Sequence, residues 1–95
     1  MRDYEIVVIV DESAEDGQVE GVVERITQIL TQGGGEIVRV DRWGKRKLAY
    51  EINRKTEGIY VVVEFRADSE AVDELERVLS LADEVVRFKV VRKAA

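Results

Sequence analysis

The 95-residue sequence contains no cysteine and no histidine. Without cysteine the chain forms no disulfide, so nothing in its composition indicates an oxidising compartment. The usual soft metal ligands are missing together with these two residue types, which leaves only carboxylate sites for a metal. Acid–base catalysis by histidine and nucleophilic catalysis by cysteine or by a serine–histidine pair are excluded as well. We therefore expect no metal, no cofactor and no small-molecule substrate.

Long hydrophobic runs are also absent. The apolar part of the N-terminal stretch "MRDYEIVVIVDE" is too short to span a membrane, and the stretch lacks the small-residue cleavage site of a signal peptide. At 45% hydrophobic and 37% charged residues, the chain can fill a core and stay soluble, which argues against disorder. We expect a soluble cytoplasmic protein with no membrane partner, folded as a single domain over residues 1–95.

The charge is acidic in total but segregated along the chain. The formal net charge is −5, yet residues 36–55 hold seven basic and three acidic residues, and residues 85–95 hold four basic and no acidic ones. The stretch "DRWGKRKLAYEI" gathers several of these cations around the one tryptophan. Phosphate binding depends on local potential rather than on net charge, so the overall acidity does not exclude an RNA partner.

Apolar spacing predicts six elements in the order β-α-β-β-α-β. The predicted strands cover 4–11, 36–55 with a bend at Gly44, 59–65 and 85–92, and residues 55–58 are expected to form a turn. A first helix is predicted to begin at a Ser13 N-cap and to end at the glycines 33–35, and a second to begin at Asp68 or Ser69.

This order is typical of the ferredoxin-like α+β fold, a four-stranded antiparallel sheet with two helices on one face. In that fold the first and third strands are central, which suits their apolar runs. The second and fourth strands are edges, and they carry the two basic segments. The acidic helices would then cover the opposite layer.

Two other protein classes share this order. Acylphosphatases have a glycine-rich anion loop after the first strand, and "VDESAEDG" lacks it. RNA-recognition motifs carry aromatic residues on the third strand, whereas "EGIYVVVEF" has valines where the stacking rings belong. Tyr4 and Tyr60 are candidates for the open sheet face, but two tyrosines are weak evidence for base stacking. An enzyme and a sheet-face stacking platform of this kind are both disfavoured.

The sequence as a whole resembles the bacterial small-subunit ribosomal protein six family. The resemblance rests on "MRDYEIVVIV", on "GGEIVRVDRWGKRKLAYEINRKTEGIYVVVEF" and on "VVRFKVVR", in that order along the chain. It implies a ferredoxin-like fold and a structural, non-enzymatic role in the small ribosomal subunit. It further implies binding to the central domain of small-subunit rRNA together with small-subunit ribosomal protein eighteen.

The resemblance also indicates which residues would bind RNA or the protein partner. Carried over by position, these are Arg2, Lys45, Arg46, Lys47, Arg87, Arg92 and Lys93. They would act by charge and by hydrogen bonds to phosphate oxygens. Trp43, beside Gly44, is expected to pack against the protein itself more than to stack on a base or a partner.

The chain departs from the family in lacking its common prolines and the long C-terminal tail of some members. A contact made by such a tail is therefore not expected from these residues. The alternative interpretation is a non-enzymatic regulatory or self-associating module, or an engineered variant of this scaffold. Lysines on an edge strand also deter edge-to-edge aggregation, which would explain Lys45 to Lys47 without RNA.

Overall fold

A computed structural model describes residues 1–52 and 54–93 of the chain. The elements are β1 (Arg2–Asp11), α1 (Asp16–Gln32), β2 (Glu36–Ile52), β3 (Lys55–Ala67), α2 (Ser69–Ser80) and β4 (Val85–Arg92). The strands form one antiparallel sheet in the order β2-β3-β1-β4. The predicted ferredoxin-like fold, with central first and third strands, is confirmed. Asn53, which belongs to the predicted second strand, lies outside the described residues.

The core lies between the sheet and the two helices. Strand geometry sends alternate side chains to opposite faces, and the even-numbered residues of β1 from Tyr4 to Val10 face the helices and are buried. Ile26 of α1 and Leu75 of α2 pack into the same cluster and are fully buried. Tyr4 stacks on Phe65 in this cluster with ring centroids 5.5 Å apart, so the expectation that Tyr4 lies on the open sheet face is wrong.

The start of α1 differs from the prediction. The N-cap is Glu15, and the backbone N–H of Glu15 donates to the Gln18 side chain at 2.9 Å in a capping box. Ser13 does not cap the helix because its N–H and hydroxyl both donate to the Asp11 carboxylate, at 2.9 and 2.8 Å. These bonds lower the pKa of Asp11, with a smaller contribution from Lys55. The predicted Asp68 cap of α2 is confirmed.

The bend in β2 is confirmed at Gly44. This residue has φ = 78°, a conformation that favours glycine, and the pairing of β2 with β3 shifts register between Arg42 and Gly44. The predicted turn at residues 55–58 is wrong, because β3 already begins at Lys55. The positive φ of 65° is found at Arg54 instead.

The far half of β2 curls over the face of the sheet that the helices leave uncovered, here called the open face. β2 and β4 are opposite edges, yet the Arg87 guanidinium of β4 lies 5.7 Å from the centroid of the Tyr50 ring of β2. On the same face Gly58 of β3 leaves room for the Ile9 side chain, since a Cβ there would lie 2.3 Å from Cγ2 of Ile9. The far half of β2 thus covers part of the open face.

Candidate nucleic-acid interface

Three exposed cations follow the bulge of β2. Lys45, Arg46 and Lys47, the hairpin cations, pair in register with Ile59, Gly58 and Glu57 of β3. Their side chains alternate between the two faces of an edge strand, as strand geometry requires. Within residues 1–52 and 54–93, no carboxylate forms an ion pair with any of the three. The hairpin cations therefore present positive potential at this edge.

Trp43 joins the hairpin to the open face. Its ring stacks on Tyr60 of β3, with centroids 6.2 Å apart and planes within 7°. The Arg46 guanidinium lies 5.2 Å from the centroid of the Trp43 ring. Trp43 remains 47% exposed, so it packs as predicted while leaving much of its surface to solvent. The arrangement holds a cation and two aromatic rings together at one end of the sheet.

β4 carries a second set of cations on the opposite edge. Arg87 pairs in register with Ile9, and Lys89 pairs with Val7, so both point to the open face and are here called the β4 cations. No carboxylate of the described part of the chain forms an ion pair with either. Three strand spacings of about 4.8 Å separate the two edges, or roughly 14 Å.

The predicted site residues fall into two groups. Arg2 and Arg92 pair with Ala67 and Tyr4, at the end of the sheet away from the hairpin. Arg87 pairs with Ile9, which lies seven residues along β1 from Arg2 and five from Tyr4, or roughly 23 and 17 Å at about 3.3 Å per residue. The structure therefore places the hairpin cations and Arg87 at one end of the sheet, and Arg2, Arg92 and Lys93 at the other end.

Lys93 is neutralised within the chain. Its Nζ donates to Oε1 of Glu64 at 2.7 Å, and this bond lowers the pKa of Glu64 and raises the pKa of Lys93. Arg39 adds to the same group, lying 3.9 Å from Glu64 and 2.9 Å from Asp41. The ion pair with Glu64 leaves Lys93 less available to a phosphate.

Arg42 is neutralised too, although it belongs to the basic segment. Both arms of its guanidinium donate to the Glu20 carboxylate of α1 at 2.6 Å. This bidentate bond lowers the pKa of Glu20 and raises that of Arg42. It ties the β2 edge to the helix layer, whose solvent side is acidic through residues such as Glu24, Glu70 and Asp73.

Two members of this surface were missed from the sequence as site residues. Lys89 shows the period-2 alternation of a strand, but nothing in that pattern says which neighbours its open-face position has. Tyr50 alternates with Ala49 and Glu51, a pattern typical of a strand with one buried face, yet it is 58% exposed. Neither could be placed, because the curl of β2 over the sheet is a tertiary feature.

In the described ranges, no helix has the length and hydropathy needed to cross a membrane. Over the same residues, no group of three or more potential ligands could hold a metal ion.

Fold and surface together define a small α+β protein with an acidic helix layer on one face of the sheet and cations on both edge strands. The chain belongs to the family described as Ribosomal protein S6, whose family model matches residues 3–92.

Relatives in this family span nearly the whole chain. The small ribosomal subunit protein bS6 of Heliobacterium modesticaldum is 42% identical over 93 residues, which are 98% of this chain and 97% of that protein. The bS6 protein of an Arthrobacter species is 46% identical over 92 residues, covering 97% and 91%. The crystal structure of 30S ribosomal protein S6 from Thermotoga maritima superposes with a TM-score of 0.90 at 35% identity, covering 97% of this chain and 87% of that one.

The family assignment confirms the predicted resemblance and the predicted class, a ribosomal protein of the small subunit. Proteins of this family are structural and not enzymes, so the prediction of a non-enzymatic role is confirmed as well. Homologues act in the ribosome, in the cytoplasm, and the predicted location agrees with theirs.

Proposed function

We propose that this chain, acting as a single domain, binds the central domain of small-subunit rRNA together with small-subunit ribosomal protein eighteen. The observation that carries the proposal is the set of exposed cations on the two edge strands that no carboxylate of the described residues neutralises. Lys45, Arg46 and Lys47 form it on β2, and Arg87 and Lys89 form it on β4. Such cations attract phosphate and position a protein on RNA without reading its sequence.

The net charge of −5 makes the chain alone a weak RNA ligand. A basic protein partner would supply further phosphate contacts and shield the acidic groups, so affinity is expected to rise in the heterodimer. The open face offers the partner apolar surface, since Val91 of β4, opposite Glu5, is 40% exposed there. The proposal is therefore a joint RNA site formed by two proteins.

The test is binding of the purified chain to a central-domain rRNA fragment across a salt series, with and without protein eighteen. We expect tight, strongly salt-dependent binding only with the partner. Arg46→Ala should reduce the slope of log K against log salt by about 1, as the loss of one phosphate contact predicts. Arg77→Ala is the matched control, because Arg77 is an exposed arginine on α2 that pairs with Glu74.

A heterodimer that does not bind the fragment would overturn the proposal. Sedimentation of the chain alone would then test the alternative, a self-associating module. An unchanged slope for Arg46→Ala, combined with a reduced slope for Arg2→Ala, would move the RNA contact to the other end of the sheet.

A further inference from the structure

A groove crosses the open face where the β2 hairpin curls over the sheet. Its floor is formed by Val7 and Ile9 of β1, and its sides include Tyr50, Tyr60 and Arg87. The volume is about 230 Å³, below the range of roughly 300–1,000 Å³ that holds drug-sized ligands. The groove thus has room for one ring-sized group and not for a larger ligand or a chain segment.

The register of the sheet explains why these groups meet. Tyr60, Ile9 and Arg87 are directly opposite one another on β3, β1 and β4, and therefore form one row across the open face. In the adjacent row, Val7 lies opposite Lys89. The groove consequently has an apolar floor and two tyrosine rings, with both β4 cations on one side.

The charge of the groove selects among occupants. Arg87 and Lys89 line it, and no carboxylate of the described residues does. A group that combines a flat apolar surface with negative charge fits this lining, since aromatic side chains stack on bases and cations pair with phosphate. An unpaired nucleotide has both properties.

The position of the groove also favours a nucleotide over a protein side chain. It lies between the hairpin cations of β2 and the β4 cations, the two edges to which the proposed function assigns RNA phosphates. A strand of RNA that contacts Arg46 on one edge and Lys89 on the other passes over the groove. The bases of that strand are then presented to Tyr50 and Tyr60.

We propose that this groove receives one unpaired nucleotide, with its base against Tyr50 and Tyr60 and its phosphate at Arg87 and Lys89. This inference rests on the proposed function, because it assumes that RNA meets both basic edges. It differs from the platform of RNA-recognition motifs because one of its rings, Tyr50, belongs to the far half of β2 that curls over the sheet. Here the hairpin supplies one wall.

The first experiment titrates the complete isotope-labelled chain with a mixed-sequence ten-nucleotide single-stranded RNA, and separately with a duplex of the same sequence. We expect NMR shift changes at Val7, Ile9 and Lys89 with the single strand and not with the duplex. Tyr50→Ala should weaken this binding roughly tenfold, within the range of one lost base stack, while Tyr50→Phe retains it. Val38→Ala is the control, because Val38 is an exposed β2 residue outside the groove.

Equal shifts with single strand and duplex, or no shifts in the groove, would overturn the inference. The second experiment measures assembly with protein eighteen in the absence of RNA. If Tyr50→Ala weakens that assembly and leaves single-strand binding unchanged, the groove holds a protein side chain and the inference is wrong. Because the oligonucleotide assay uses no central-domain fragment, failure of the proposed function appears separately, as a wild-type heterodimer that does not bind the fragment.

Discussion

Arg42 and Glu20 join the basic edge strand to the acidic helix layer through a bidentate ion pair, with both nitrogen–oxygen distances at 2.6 Å. Arg42 therefore differs from Arg46, four residues further along the same strand, whose guanidinium lies over Trp43 instead. Two arginines of one basic segment thus have different partners, and only one of them is available to phosphate.

This pair predicts how two substitutions affect RNA binding. Glu20→Gln should raise the affinity of the heterodimer for central-domain rRNA, because it removes a negative charge and releases Arg42. Arg42→Gln should change the salt slope less than Arg46→Ala does, since Arg42 is already neutralised. Because the pair is exposed, both variants should shift the Tm by no more than about 5 °C. A fall in affinity with Glu20→Gln would contradict this account.

The Lys93–Glu64 pair predicts a pH dependence. The hydrogen bond from Lys93 lowers the pKa of Glu64 in the folded state, so its contribution to stability is present above the ordinary carboxyl pKa and is lost as pH falls through the lowered one. Lys93→Gln should raise the pKa of Glu64, measured by NMR of its side-chain carbon. It should also flatten the loss of stability in acid.

Lys89→Gln is the control for this titration, because Lys89 lies opposite Val7 and forms no ion pair with Glu64. If both variants moved the pKa of Glu64 equally, general charge and not the hydrogen bond would be the cause.

Gly58→Ala should destabilise the chain by about 1–3 kcal/mol, because the added Cβ would lie 2.3 Å from Cγ2 of Ile9. In an Ile9→Ala background the same substitution should cost less, since Cγ2 is then absent. Denaturant unfolding of the four proteins measures this coupling. Additive losses would show that the Ile9 contact is not the cause.

Gly21→Ala should stabilise the chain, whereas Gly58→Ala should destabilise it. Gly21 lies inside α1, and a Cβ there meets nothing within 4 Å. Alanine should therefore stabilise the helix by about 0.5–1 kcal/mol through its higher helix propensity. A destabilised variant would indicate an unseen role for the glycine.

Trp43 should report on the hairpin by fluorescence, since it is the one tryptophan in the chain. Its ring stacks on Tyr60 but is 47% exposed, so acrylamide should quench it to an intermediate degree. Tyr60→Leu should increase quenching, and bound RNA should decrease it. Quenching that is unaffected by bound RNA would place the RNA away from the hairpin.

Local sequence patterns predicted the order of elements well and their ends less well. The apolar run of β1 and the i, i+3, i+4 spacing of α1 depend only on neighbours along the chain, and both elements are present. The predicted Ser13 cap is wrong because the N–H and hydroxyl of Ser13 both donate to the Asp11 carboxylate. The predicted turn at residues 55–58 is wrong because these residues belong to β3 and pair with β2, despite their turn-like composition.

The sequence by itself determined the ferredoxin-like order of elements and the separation of basic strands from acidic helices. Both follow from local periodicity and from where charges stand along the chain. The tertiary structure decided which cations remain available, because the partners of Arg42 and Lys93 lie 22 and 29 residues away. It also decided that Tyr50 meets Arg87, since that contact requires β2 to bend at Gly44 and cross the open face.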